Sequence, residues 1–329
     1  MNKTNQESLR CLFQREDNIF FSLVDYRNNL FTSNDPKKIL EFYNGFENID
    51  QLIQWMRERP KGIAYVHEVE GDKDIIVVIP TADFNGKYAI NCRENIFKGL
   101  HMIFVESGGK NDFYFNFAHY VNIGIKKAME YNPKWVVFSS DDMYKIDDIC
   151  VLTKELNKLD SDCYDNVYTP PSYYHSIPVC LGEGKILRTI AFSYFFRRKR
   201  QIDLENKFKV HYFSFPKNKY HKFFFNCRYP YIAMASFGIF SQRLIKNIGP
   251  ELFEETFINS CEDIDLDLRL SLRTFKTKVI NFRIGEFKGS TLGLNNNRRL
   301  RDIAGYSYLN YKIKNGLLNN HSYFVLPGS

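Results

Sequence analysis

Asp74-Ile75-Ile76-Val77-Val78-Ile79-Pro80-Thr81 is the stretch from which the fold is read. A near-continuous run of β-branched residues suits a strand covered on both faces, as in a mainly parallel sheet flanked by helices. Thr81 closes the run and marks the strand's carboxyl end. Outward from it, Met102-Ile103-Phe104-Val105-Glu106 reads as a second strand and Trp135-Val136-Val137-Phe138 as a third. Between these two, Phe117 to Tyr131 reads as a helix with Val121, Ile125, Ala128 and Met129 on one face. Strand, helix, strand alternation predicts an α/β, Rossmann-like layered domain with a mainly parallel central sheet.

In open sheets of this kind, ligands sit outside the carboxyl ends of the strands. Thr81, Glu106 and the pair Asp141-Asp142 all fall at such ends and are expected to line one crevice. A second acidic stretch follows far downstream, Cys261-Glu262-Asp263-Ile264-Asp265-Leu266-Asp267-Leu268-Arg269. It puts Glu262 and Asp263 at the start of a helix, with Leu266, Leu268, Leu270 and Leu272 apolar and Arg269 and Arg273 one turn apart. An acidic strand end and an acidic helix start suit a divalent cation and a general base. Solvated charge complementing a helix dipole is the competing reading of either site alone.

Composition narrows the class. With 329 residues and 44% hydrophobic content, the chain has enough apolar material for a packed core in one large domain plus an extension. The net charge of +7 suits anionic partners such as nucleotide phosphates, nucleic acid or an acidic membrane surface. Seven cysteines without a C-x-x-C pair argue against a zinc ribbon and a disulfide framework, and for thiols in a reducing compartment. The first residues lack a signal-peptide core, and no apolar run approaches the ~20 residues of a membrane span. The expected location is cytoplasmic, with peripheral membrane contact left open. A P-loop, a G-x-G-x-x-G turn and an H-E-x-x-H helix are all missing from the sequence.

Residues 1–72 read as a partly helical N-terminal extension, with Asp35-Pro36 opening one helical stretch and Ile49, Leu52, Ile53, Trp55 and Met56 marking another. The main domain is expected over 73–293. Within it, 183–228 is a basic aromatic insertion, where Arg197-Arg198-Lys199-Arg200 accompanies Phe195, Phe196, Phe213, Phe223, Phe224 and Phe225. Such a segment suits single-stranded nucleic acid or an anionic membrane, and equally suits strands with buried aromatics and solvated lysines. The tail, 294–329, reads as a polar loop around Asn295-Asn296-Asn297-Arg298-Arg299 leading into a Tyr-rich segment.

The order of parts from Asp74 to Gly293 resembles the inverting, nucleotide-sugar-dependent glycosyltransferases of family 2, which have the GT-A fold. Ile76-Val77-Val78-Ile79-Pro80-Thr81 is similar to that family's opening strand, and Val105-Glu106-Ser107-Gly108-Gly109 to its second, with Glu106 where Asp is common. Asn122-Ile123-Gly124-Ile125-Lys126-Lys127-Ala128 is similar to the family's N-x-G-I-x-x-A helix, and Ser140-Asp141-Asp142 to its D-x-D-type site. Ala235 to Leu244 and Ile248-Gly249-Pro250-Glu251-Leu252-Phe253 resemble the segments approaching the acceptor, and Glu262 to Arg269 resembles the E-D-x-D-L-x-x-R block. The chain departs from the pattern after that block, where Arg283-Ile284-Gly285-Glu286-Phe287-Lys288 has no His.

The resemblance implies transfer of a sugar from a UDP-, GDP- or dTDP-sugar to a hydroxyl of a glycan, lipid-linked or protein acceptor. It implies donor contacts at Pro80, Thr81, Glu106 and Asp141. Mn²⁺ or Mg²⁺ would be held by Asp142 and Asp141 with Glu286 in place of the His, or Lys288 would meet the diphosphate directly. Asp263 is implied as general base, with Glu262 orienting it. The alternative is a nucleic-acid- or membrane-surface-binding protein on a catalytically inactive GT-A scaffold, nucleic acid being the less favoured partner.

Overall fold

The computed structural model describes residues 25–108, 112–170, 174, 176–182, 185–186, 199–209, 230–234, 236–249, 251–271, 276–287 and 296–318. Arg197, Arg198, Leu272, Arg273, Lys288 and the Phe residues singled out in the 183–228 insertion lie outside them.

The apolar runs become strands β2 (Asp72–Thr81), β3 (Leu100–Glu106) and β4 (Trp135–Ser139). They pair in parallel with β2 in the middle. Short strands complete a seven-stranded sheet: β1 (Tyr65–Val69), β6 (Asn166–Tyr168), β10 (Phe237–Ser241) and β11 (Thr277–Val279), in the order β1-β3-β2-β4-β10-β6-β11. The parallel expectation holds at the centre and at β6 with β11, but not throughout. β1 runs antiparallel to β3, and β10 runs antiparallel to both β4 and β6. The chain returns to the sheet at Ser236, whose carbonyl accepts from Ser140 N (2.8 Å), so β10 starts where β4 ends. The architecture is α/β with a mixed central sheet.

One face of the sheet packs Val77, Ile79, Phe104 and Val137 against Cys92, Leu152 and Ile284. The other packs Ile76, Val78, Val105 and Val136 under helix α5 (Phe117–Met129). Gly124 makes that contact close, because a Cβ there would stand 2.3 Å from Val78 Cγ1 and 3.0 Å from Val105 Cγ2. Asn116 caps α5 through His119 N and donates its amide to the carbonyls of Glu255 and Phe257.

A third apolar cluster joins the two ends of the chain. Helices over 25–32, α2 (Pro36–Asn44) and α3 (Ile49–Glu58) pack Phe31, Phe42, Tyr43 and Trp55 against Ile303, Ala304 and Leu309. Those last residues belong to a helix over Asn296–Lys314, which begins within the stretch read as a polar loop around 295–299 and runs on through the Tyr-rich segment. Its polar start was misleading: Arg301 donates to the carbonyls of Phe31, Thr32 and Ser33, serving a neighbouring helix end. The region expected as an extension therefore shares a core with the C-terminal helix, and β1 within it is a strand of the sheet. Among the described residues no helix is long and apolar enough to cross a membrane.

Gly124→Ala tests the close packing. Alanine favours a helix over glycine by about 1 kcal/mol, whereas overpacking a tight core costs about 1–3 kcal/mol. Packing should win, lowering the urea midpoint with an unchanged slope; an unchanged or raised midpoint would show that the sheet yields.

Candidate active site at the strand ends

Thr81 and Glu106 end adjacent strands in register with each other. The Thr81 hydroxyl donates to Asp141 Oδ2 (2.7 Å) and accepts from Asp83 N (3.3 Å), tying the loop after β4 to the loop after β2. Loss of water around Asp141 pushes its carboxyl up to about 6; the Thr81 hydrogen bond opposes this and the Asp142 charge adds to it. Asp142 is buried, and its carbonyl accepts from Phe287 N (2.9 Å). That bond extends a two-stranded ribbon, β5 (Met143–Lys145) with β12 (Ile284–Glu286), in which Glu286 faces Met143. Glu286 thus comes beside the acidic pair from 144 residues downstream by chain number. A π-helical turn over Cys92–Ile96 adds the Cys92 thiol, which donates to the Asp141 carbonyl (3.2 Å).

Pro80 and Glu106, the other residues read as donor contacts, lie on β2 and at the end of β3. Pro80 is a buried strand residue paired with Val105. Glu106 has both oxygens engaged: Nε2 of His67 lies 2.6 Å from Oε2, and Phe84 N donates to Oε1 (3.3 Å). The His67 ring stacks on Phe84 at 4.3 Å, and Arg93 lies over the same Phe84 ring while donating to its carbonyl (2.7 Å). Sequence reading missed His67, Phe84 and Arg93. His67 sits on β1, whose five residues alternate too briefly to separate a strand from the preceding helical region.

The second acidic site stands on the helix Glu262–Ser271. The segment before it is stitched to α5. Asn122 exchanges hydrogen bonds with the backbone of Phe253, and Asn259 Oδ1 accepts from Phe117 N (2.8 Å). Asn259 and Cys261 adopt left-handed backbone, at φ 53° and 71°, a conformation that costs non-glycine residues free energy. Glu255 is held down to about 2: burial alone would raise it, and hydrogen bonds from His119, Lys61 and Asn122 outweigh that. The Asn122 and Gly124 of the quoted helix motif are therefore packing and stitching residues.

Glu262 is buried with no partner for Oε2, and burial pushes its carboxyl up to about 8, helped by the Asp263 charge. Asp263 is half-buried, and its Oδ1 accepts from Ile264 N (2.8 Å). Asp267, one turn on, is buried and raised by desolvation and by Asp263; Tyr168 OH lies 3.4 Å from its Oδ1, while Oδ2 has no partner. Tyr168 ends β6, which reaches β4 through β10, so both acidic sites belong to the same edge of the sheet. Asp265 has a different task. It pairs with Arg269 (2.8 Å) and Lys312 (2.5 Å), and Lys312 also meets Glu254.

Among the described residues, no three His, Cys, Asp or Glu side chains converge to hold a metal by themselves. Asp141, Asp142 and Glu286 are neighbours through the backbone rather than a closed set of three ligands. No model of a known protein family matches the chain, and no curated protein matches it.

The raised Glu262 carboxyl makes a pH prediction. A folded pKa above the unfolded value near 4.5 gives stability that is full below 4.5 and lost as pH rises through about 8. Glu262→Gln cannot ionise. Urea unfolding should therefore show the variant gaining on the wild type between pH 5 and pH 8.5, by on the order of a few kcal/mol. A difference independent of pH would reject the buried, protonated Glu262.

Proposed function

We propose that the chain is an inverting glycosyltransferase of GT-A type, moving a sugar from a nucleoside diphosphate to an acceptor hydroxyl. The observation that carries this reading is the hydrogen bond of Thr81 to Asp141, which joins the ends of two parallel strands around a desolvated carboxylate. Ligands of layered α/β sheets bind at such an edge. The separate acidic helix at the same edge supplies what a hydroxyl nucleophile needs.

The fit to Mn²⁺ or Mg²⁺ rests on the donor set. Two adjacent carboxylates, one of them withdrawn from water, gain most from a cation, and hard cations are commonly bound by one or two carboxylates plus substrate phosphates. Asp142 and Asp141 would hold it, with Glu286 the nearest further oxygen ligand along the ribbon. When bound, the cation neutralises charge on the leaving diphosphate. Asp263 is the base: it is the more exposed of the two adjacent carboxyls and can meet an acceptor hydroxyl. Glu262, whose carboxyl burial pushes up to about 8, orients its neighbour. Cytoplasmic placement, with donor supplied as UDP-, GDP- or dTDP-sugar, belongs to the same reading.

Thermal unfolding with UDP, GDP and dTDP, with and without Mn²⁺, tests the donor site. A ligand at 100 times its Kd should stabilise the fold by about 2.7 kcal/mol. Asp142→Ala should lose the Mn²⁺-dependent shift while keeping the wild-type circular dichroism. A shift indifferent to both Mn²⁺ and this change rejects the cation role, and no shift with any nucleotide favours the inactive-scaffold alternative.

Asp263→Asn should keep the nucleotide shift and lower turnover by roughly 10²-fold or more, the low end of general-base catalysis. Near-normal turnover would move the base role to Glu262.

A further inference from the structure

The ribbon beside the acidic pair brings two aromatic rings together, and a nearby short helix adds a third. β5 and β12 pair Met143 with Glu286 and Tyr144 with Gly285. Met143 and Ile284 point into the core. Tyr144 lies on the other face, its ring directly over Gly285: a Cβ at 285 would stand 2.1 Å from Tyr144 Cζ. Phe287, next along that face, is 46% exposed, with its ring centroid 5.1 Å from that of Tyr144. Tyr88, from the short helix Lys87–Asn91, completes the group at 6.1 Å from Phe287. The rings are tilted to Phe287 by 50° and 39°, forming a shallow cradle.

We propose that this cradle binds a pyranose ring of a carbohydrate acceptor; the assignment rests on the glycosyltransferase reading above. Three features select that ligand. The first is position. Asp142 is tied to Phe287, and Tyr88 stands on the short helix that follows β2, so the cradle borders the acidic pair. The second is exposure. Phe287 is exposed while Tyr88 and Tyr144 are half-buried, so the group keeps part of its ring surface in water, and clustered apolar surface left in water marks binding sites. The third is mixed polarity. The phenol groups of Tyr88 and Tyr144 have no hydrogen-bond partner among the described residues, and Lys87 Nζ lies 4.8 Å from the Tyr88 ring centroid. A sugar presents axial C–H bonds to an aromatic face and hydroxyls to its rim, so it uses both the rings and the free phenols. A purely apolar chain would leave the phenols and Lys87 unanswered.

Saturation-transfer NMR with cellobiose, lactose, maltose and diacetylchitobiose, each at millimolar concentration, tests the cradle without needing turnover. The wild type should pass saturation to the ring C–H protons of at least one disaccharide. Phe287→Ala should weaken that contact at least tenfold, and Phe287→Tyr should retain it. The Mn²⁺-dependent nucleotide shift should be unchanged in both. If no disaccharide contacts the wild type, or if Phe287→Ala leaves the contact intact, the cradle is not a sugar site. If Phe287→Ala abolishes the nucleotide shift instead, the rings stack the nucleobase and the assignment is overturned. If no nucleotide binds the wild type but the Phe287-dependent disaccharide contact persists, the cradle stands and the glycosyltransferase reading falls.

Discussion

Lys312 is almost fully buried and meets two carboxylates at once, Asp265 and Glu254. Asp265 in turn holds Arg269, whose guanidinium also reaches the carbonyl of Leu252. This relay joins the C-terminal helix, the acidic helix and the segment before it. Removing one partner of such a buried arrangement commonly costs about 3–5 kcal/mol, since a charge is left unpaired. Its consequence for the site is rotational. With Asp265 committed to Lys312 and Arg269, the acidic helix has one orientation, and Asp263 and Asp267 are turned together toward the sheet edge.

The same orientation explains an apolar pattern with the wrong period for a surface helix. Residues two apart on a helix point about 200° apart. Leu266 and Leu270 pack on the sheet-facing cluster, while Ile264 and Leu268 pack on the cluster of terminal helices. The helix is buried on both sides, and of its carboxylates only Asp263 keeps part of its surface in solvent. The unusual protonation at Glu262 and Asp267 follows from this packing. The N-terminal helices, which carry no chemistry of their own, matter because they cover the second side.

What could be read in advance followed from residues whose own preferences agree with their final place. The β-branched runs of β2 and β4 need burial on two faces, and α5 repeats its apolar residues at helical spacing, so these elements and the strand-end positions of Thr81, Glu106 and Asp141 were legible. β10 was not, because its antiparallel direction is set by where the chain re-enters beside Ser140, a long-range bond invisible to local pattern. The helix over Asn296–Lys314 was hidden by side chains such as Arg301 that serve carbonyls about 270 residues away. His67 beside Glu106 and Phe287 beside Tyr144 depend on pairings between distant strands, and only the register brings them together.

Buried charge in this protein falls into two groups, and the division bears on function. Asp165 holds Arg243 and the backbone N of Lys276, Arg59 donates to Asn28 and to two carbonyls, and Glu255 and Asp265 are each met by several donors. These groups recover by pairing what desolvation takes away. Glu262 Oε2 and Asp267 Oδ2 recover nothing from the protein, and Asp141 recovers only part through Thr81. The left-handed residues Asn259 and Cys261 stand directly before Glu262. Unpartnered buried polar atoms occur elsewhere too, at Trp55 Nε1, His101 Nδ1, Asn166 and Arg243 Nε, but among the described residues the buried carboxylate oxygens left without a hydrogen bond are those of Glu262 and Asp267. Local rules are broken in this way where a ligand is to supply the missing partner. The carboxylates that the scaffold leaves uncompensated are therefore the ones to which a hydroxyl or a cation adds most.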